Sequence, residues 1–191
     1  MAKKNSESLP IDAQPPAVRV KVGKKDEDNV VKCLNKHYDW KLEKATFKED
    51  TCQKTDCFQI TKSGDRLPVQ IKTRITGDDF LVSLYEPYYG IDDSRTEAGR
   101  DVKQDYYCYV CLSKDRKTIR VVKGNVLKKI VNSLIKQWKT KGCPLPHLFK
   151  NTCEFRWHRD RWSGKPKVLC FIPPDIFKKS KKEIQLFKMK K

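Results

Sequence analysis

One end of a predicted β-hairpin gathers three side chains whose chemistry could act together. Apolar and polar residues alternate on both sides of the turn Ser63-Gly64-Asp65 in the stretch Asp56 to Arg74, which predicts two strands. Asp56 opens the first strand, and Gln70 and Lys72 lie two positions apart on the second, so these two project from the same face. The hairpin therefore brings a carboxylate, an amide and an ammonium close together. Carboxylate and amide oxygens are ligands that a hard cation such as Mg²⁺ accepts.

This arrangement resembles the core motif of the PD-(D/E)XK nuclease superfamily, whose members share the restriction-endonuclease-like fold. In that family an Asp opens one strand, and an acid-x-Lys triplet follows on the next. Asp56 matches the Asp, and Gln70-Ile71-Lys72 matches the triplet with Gln in the acid's place. Val69 to Thr73 is also similar to the Gln-x-Lys variant that some members carry.

The resemblance implies a metal-dependent endonuclease that hydrolyses phosphodiester bonds in duplex DNA, with a restriction-type enzyme as the first candidate. Asp56, Gln70 and Lys72 would be its catalytic residues. Mg²⁺, for which Mn²⁺ can substitute, would be held by Asp56, Gln70 and the backbone carbonyl of Ile71. Lys72 would orient or activate the attacking water and stabilise the charge that develops on the phosphate. Such enzymes usually dimerise, so the resemblance also implies a homodimer.

Gln70 is the departure from the family pattern, because a neutral amide leaves the site one negative charge short. We therefore expect weaker metal binding than an acid would give. Family members often use a further acid from the preceding helix, and Glu27 is best placed for that role, with Asp26 behind it. The alternative role for Glu27 is to complement the dipole in the first turn of a helix that starts at Asp26.

The composition favours a polyanionic partner. Lys and Arg number 42 against 24 Asp and Glu, giving a formal net charge of +18, and nucleic acid is the commonest partner of such chains. The aromatic and basic segment Phe155 to Trp162 could grip DNA through phosphate contacts and ring stacking, or it could be an ordinary hairpin with solvated arginines. The predicted nucleic-acid contacts are Arg74, Arg156, Trp157, Arg159 and Arg161. The second functional hypothesis is a non-catalytic nucleic-acid-binding protein, either an inactive nuclease relative or an RNA-binding protein.

The periodicity predicts one α/β (α+β) domain over residues 17–177, with a mixed central sheet of four or five strands. Helices over 26–36 and 126–139 are expected to flank the sheet, the second with a clear amphipathic stripe. Val18 to Val22 alternates like a short strand, and Asp26 is the expected N-cap of the first helix. The polar, proline-containing composition of residues 1–16 predicts a disordered or loosely attached arm. The many lysines of residues 178–191 predict a basic tail.

The eight cysteines do not predict disulfides, because the N-terminal residues are polar and no apolar run reaches membrane length. We expect an intracellular protein that is not secreted and has no membrane partner. It would reside in the cytoplasm or nucleoid, or in the nucleus of a eukaryote, with its thiols reduced. Cys108 and Cys111 have CxxC spacing but lie on a predicted strand, where positions three apart face opposite sides.

A zinc-stabilised binding module is the third hypothesis. It would use Cys143, His147, Cys153 and His158. The spacing of these residues fits no standard zinc pattern, so we expect buried or free thiols instead.

Overall fold

The computed structural model describes residues 16–50, 55–73, 77–87, 96–98, 105–142, 147–149, 153–159, 166–179 and 184–190. Within these residues two long helices, α1 (Pro16–His37) and α2 (Gly124–Thr140), accompany eleven strands. The strands are β1 (Leu42–Lys44), β2 (Cys57–Ile60), β3 (Arg66–Thr73), β4 (Phe80–Pro87), β5 (Thr96–Ala98), β6 (Cys108–Leu112), β7 (Thr118–Lys123), β8 (His147–Phe149), β9 (Cys153–Arg159), β10 (Pro166–Ile172) and β11 (Ile184–Lys188). A short 3-10 helix spans Pro174–Lys179.

The strands form two sheets. The first has six strands in the order β1-β2-β3-β6-β7-β11, in which β3 and β6 are parallel and all other neighbours are antiparallel. The second has five antiparallel strands in the order β5-β4-β10-β9-β8. Because parallel neighbours cannot be joined by a tight turn, the chain leaves the first sheet after β3, contributes β4 and β5 to the second, and returns as β6. The chain is therefore a mixed α/β fold, as the sequence predicts.

Helix α1 covers one face of the six-stranded sheet. Val30, Val31 and Leu34 of the helix are buried against a layer that includes Val69 and Ile71 of β3. Leu34 lies four residues after Val30 and three after Val31, which places all three on one side of the helix. The side chains of β3 that face α1 are therefore the apolar ones, and Gln70 and Lys72 alternate with them.

The opposite face packs against the second sheet and α2. Tyr109 of β6 is buried there among the side chains of the second sheet, and its hydroxyl donates a hydrogen bond to the carbonyl oxygen of Leu81 at 2.6 Å. The buried stripe of α2 consists of Leu127, Val131, Leu134 and Trp138. The predicted helix over 126–139 is confirmed, and the two helices flank the six-stranded sheet.

The first helix is longer than the sequence predicts. The predicted strand Val18 to Val22 is wrong, because these residues lie inside α1, which begins at Pro16. Proline suits a first helical position, where its missing N–H has no helical partner to lose, and valines four apart fit one helix face as well as a strand. Asp26 is not an N-cap; it is buried inside the helix and pairs with Arg116 at 3.1 Å.

The sheet has six strands instead of the predicted four or five, and the added edge strand comes from the lysine-rich end of the chain. Residues 178–191, which predict a basic tail, include β11, which pairs antiparallel with β7. Phe187 of β11 packs edge-to-face against Tyr38 with ring centroids 4.8 Å apart. This part of the predicted tail therefore belongs to the sheet. Residues 1–15 of the predicted arm lie outside the described residues, and Pro16 already belongs to α1.

Candidate active site

The Asp56 carboxylate is held against the middle of β3. Asp56 directly precedes β2, and the neighbouring Cys57 pairs with Val69, so Asp56 lies beside the next residues of β3. Its Oδ2 atom accepts hydrogen bonds from the backbone N–H of Ile71 at 2.6 Å and from the side-chain amide of Gln70. Asp56 therefore contacts Gln70 and Ile71 of the predicted triplet. Two donors on one oxygen fix the position of the carboxylate against β3.

Gln70 is fully buried, at 0 % exposure. Its Nε2 atom donates to Asp56, while its Oε1 atom has no hydrogen-bond partner among the described residues. Leaving a buried acceptor without a donor costs about 1–3 kcal/mol. Gln70 thus has a buried amide oxygen without a partner, while its N–H faces the Asp56 carboxylate. Amide and carboxylate oxygens are both donors that a hard cation accepts.

The backbone of Ile71 faces the same place. In a β-strand the N–H and C=O of one residue point to the same side. Since the Ile71 N–H binds Asp56, the Ile71 carbonyl is also directed toward the Asp56 side of β3. The sequence expectation for this carbonyl is compatible with the strand geometry.

Glu27 of α1 belongs to the same electrostatic cluster. Its pKa is raised from 4.5 to about 7, first because the side chain is desolvated and second because of the negative charge of Asp56. The positive charge of Lys72 lowers the pKa in the opposite direction, and Asp50 and Lys44 act more weakly. Asp56 and Lys72 therefore both lie within electrostatic range of Glu27. Glu27 also lies well inside α1, so the alternative role in a first helical turn does not apply.

Asp50 is the member of this cluster that the sequence reasoning missed. Its negative charge contributes to the raised pKa of Glu27. The local signal for Asp50 is an acid in the polar loop before Asp56. That signal does not indicate which side chains lie near the acid in the fold. Asp26 does not join the cluster, because its carboxylate pairs with Arg116.

Of the predicted nucleic-acid contacts, only the Arg156 side chain lies within the described part of the chain, and it is in the other sheet from Asp56. Arg156 lies on β9 in the second sheet, is exposed, pairs with Glu154 and lies over the Phe171 ring at 5.1 Å. Its neighbour Phe155 faces the core against Trp138, so Arg156 faces outward. Arg74 and Arg161 lie outside the described residues. Trp157 and Arg159 belong to β9, but their side chains are not among those described.

The cysteines do not form a zinc site among the residues that the structure describes. Cys108 and Cys111 are buried on opposite faces of β6, each in a different hydrophobic cluster, as their strand spacing predicts. Cys153 is buried in the core between the sheets. Cys143 and the side chains of His147 and His158 are not described, so the zinc hypothesis stays untested. No group of three or more His, Cys, Asp or Glu side chains that could hold a metal ion is found within the described ranges. Around Asp56 the described donors are its own carboxylate and the Gln70 amide, with Glu27 in electrostatic range.

Comparisons with known proteins assign no family or role to this site. No family model, no curated protein and no solved structure matches the chain. Neither α1 nor α2 combines the length and apolar character needed to cross a membrane.

Proposed function

We propose that the protein is a metal-dependent endonuclease with a restriction-endonuclease-like core that hydrolyses phosphodiester bonds in duplex DNA. One observation carries the proposal: the Asp56 carboxylate is held by the side-chain amide of Gln70 and the backbone N–H of Ile71, and the charges of Asp56 and Lys72 both act on Glu27. This set joins the residues of the sequence motif with an acid from the preceding helix.

The topology supports the proposal. The hairpin of β2 and β3 lies inside a mixed sheet, and β3 has a parallel neighbour on its other side. Helix α1 precedes the hairpin and covers one face, and α2 packs on the other face. A mixed sheet flanked by these two helices is the arrangement that the sequence predicts around the motif.

The donor set fits a hard divalent cation. Asp56 and Glu27 would each offer a carboxylate, Gln70 its buried Oε1 atom and Ile71 its backbone carbonyl. When bound, Mg²⁺ supplies positive charge that neutralises the phosphoryl oxygens and lowers the pKa of a bound water. In the structure the Gln70 amide directs its N–H to Asp56, so presenting Oε1 beside that carboxylate requires the amide to turn over.

The chain's own residues then have distinct tasks. Asp56 is held in place by the two N–H groups that bind its Oδ2 atom. Glu27, with a pKa of about 7, loses its carboxyl proton near neutral pH, so its contribution as a charged ligand or proton acceptor grows as the pH rises. The Lys72 ammonium stabilises the negative charge that develops on the phosphate and orients the attacking water.

A non-catalytic nucleic-acid-binding protein is the second candidate. The observation that favours it is the Gln70 to Asp56 hydrogen bond, because it satisfies the carboxylate without a cation. The formal net charge of +18 fits this candidate equally well.

Cleavage of supercoiled plasmid separates the two candidates. We expect nicking or linearisation with Mg²⁺ or Mn²⁺, none with EDTA, and a loss of at least about 100-fold in Asp56→Asn, because a metal ligand is removed. Glu43→Gln is the matched control, since it removes one exposed carboxylate from β1 and should retain activity. Binding of DNA without cleavage in either metal would support the non-catalytic protein instead.

A further inference from the structure

A second concave region lies at the turn end of the same hairpin. A cavity of about 710 Å³ opens between the residues that follow α1 and the ends of β2, β3, β6, β7 and β11. Leu67 of β3 lines it, and Lys72 lies five residues further along the strand, about 16 Å away at the rise of a β-strand. The cavity is therefore separate from the Asp56 site, and its size is typical of pockets that bind small ligands.

Three aromatic rings line this cavity. Tyr107 is 46 % exposed, which is unusual for a large ring. Tyr38 and Trp40 are partly buried, and both pack edge-to-face against Phe187, with centroid distances of 4.8 and 6.0 Å. The Tyr38 hydroxyl also donates to the carbonyl oxygen of Lys188 at 2.8 Å. Two of the rings are thus held by β11, and the third is open to solvent.

The charge of the lining is positive. Lys41, Lys62 and Lys123 are exposed side chains of the lining, and Asp39 is its only acid. None of the three lysines forms an ion pair with a described residue. The cavity therefore combines apolar rings with ammonium groups that an anionic ligand could engage.

Gln59 adds a hydrogen-bond acceptor. Its Nε2 atom donates to the carbonyl oxygen of Ile60 at 3.2 Å, while its buried Oε1 atom has no hydrogen-bond partner within the described part of the chain. A buried acceptor of this kind can recognise a donor on a ligand.

We propose that this cavity binds a nucleotide. The base would stack on the Tyr107 and Trp40 rings, the phosphate would pair with the lysines, and Gln59 Oε1 would accept a hydrogen bond from an amino group of the base. Aromatic faces and ammonium groups together are the usual means of holding single-stranded nucleic acid. The same chemistry could come from the unpaired end of a DNA strand or from a free mononucleotide. The proposal goes beyond the endonuclease function and does not depend on it, because binding is measured without cleavage.

The test measures binding in EDTA, where no metal-dependent cleavage occurs. Deoxyadenosine monophosphate and a short, 5′-phosphorylated single-stranded oligonucleotide of deoxyadenosine are titrated separately by calorimetry. Loss of one stacking ring should weaken binding by about 10-fold or more, so we expect this effect in Tyr107→Ala. Lys62→Ala in the exposed turn should also weaken binding, and Lys136→Ala on the exposed face of α2 is the matched control.

Each outcome decides the proposal. Binding of the mononucleotide that Tyr107→Ala and Lys62→Ala both weaken supports the cavity with a free nucleotide as the ligand. Binding of the oligonucleotide alone, with the same sensitivity, supports it with a strand end as the ligand. Absence of binding by both ligands, or binding that Lys136→Ala weakens as much as the cavity variants do, overturns it. Circular dichroism of each variant verifies the fold, and a conservative Tyr107→Phe should bind like the unmodified protein.

Discussion

The two ends of the β2–β3 hairpin differ in the charge and the burial of their side chains. At the open end, Asp56 and Gln70 are packed against each other, and Gln70 is completely buried. At the turn end, exposed lysines and aromatic rings line the same cavity, and the Tyr107 ring is itself exposed. The same two strands therefore present an acidic, partly desolvated cluster at one end and a basic, accessible cavity at the other.

Under the two proposals, this difference would assign the chemistry to the open end and the binding to the turn end. Burial and a neighbouring carboxylate raise the pKa of Glu27 to about 7, which is useful for a group that must bind a cation or exchange a proton near neutral pH. Exposed lysines contribute attraction for phosphates without that desolvation. We expect substitutions at the open end to change cleavage, metal response and pH dependence, and substitutions at the turn end to change nucleotide affinity.

Gln70→Glu should give the largest effect on stability. It places a second carboxylate at a fully buried position beside Asp56, so we expect the metal-free protein to lose about 3 kcal/mol of unfolding free energy at pH 8. Mg²⁺ should restore much of this loss, because the added charge strengthens the cation site. Denaturant unfolding with and without Mg²⁺ measures both quantities.

The control for this substitution is Gln59→Glu at the turn end, where no cation site is proposed. Mg²⁺ should leave its stability unchanged. If Mg²⁺ raised the unfolding free energy of both variants equally, or of neither, the cation site would not be specific to the open end.

Glu27→Gln should change how stability depends on pH. The folded-state pKa of Glu27 is raised, to about 7, so the folded protein retains a proton that the unfolded chain releases above about pH 4.5. Stability should therefore fall as the pH rises from about 4.5 to about 7. Glu27→Gln should remove this fall and be more stable than the unmodified protein at pH 8 by about 1–2 kcal/mol, after allowance for partial exposure.

Metal-free urea titrations at pH 4 and pH 8 measure the Glu27 effect. The two proteins should have similar stability at pH 4, where Glu27 is protonated in both the folded and unfolded chains. A gain in Glu27→Gln that is the same at both pH values would show that packing, not titration, is responsible.

Asp56→Asn should produce a smaller, purely electrostatic change in Glu27. The Asp56 charge is the second cause of the raised pKa of Glu27, so its removal should lower that pKa toward 4.5. Side-chain carboxyl NMR resonances followed through a pH titration report the midpoint directly. A midpoint that stays near 7 in this variant would mean that Asp56 and Glu27 do not share one site.

The open end could be predicted from the sequence because its signals are local. The two-residue period of β3 fixes Gln70 and Lys72 on one face, and the turn at Ser63-Gly64-Asp65 brings Asp56 beside Gln70. Helix α2 was predictable for a similar reason, since its apolar stripe repeats within the helix itself. Glu27 was named as a candidate, but its pKa and neighbours depend on how α1 packs.

The turn end could not be predicted, because its parts are distant in the sequence. Tyr38 follows α1, Tyr107 precedes β6, and Gln185 lies on β11. The sequence of β11 predicts a basic tail because lysines flank its apolar positions. It forms a strand by pairing antiparallel with β7, and a local sequence pattern does not reveal that partner. The strand predicted over Val18 to Val22 is wrong because the signal there is ambiguous. A short alternation of valines fits both a strand and a helix, and in the structure these residues belong to α1.

The most direct test of the proposed endonuclease compares two lysine variants in single-turnover cleavage of duplex DNA with Mg²⁺. Lys72→Ala should lower the cleavage rate by at least about 100-fold while DNA affinity, measured in the same samples with Ca²⁺, changes little. Lys136→Ala removes the same charge from the exposed face of α2 and should cleave at the unmodified rate. Cleavage by Lys72→Ala at the rate of the unmodified protein would contradict the assignment of the active site to the open end of the hairpin.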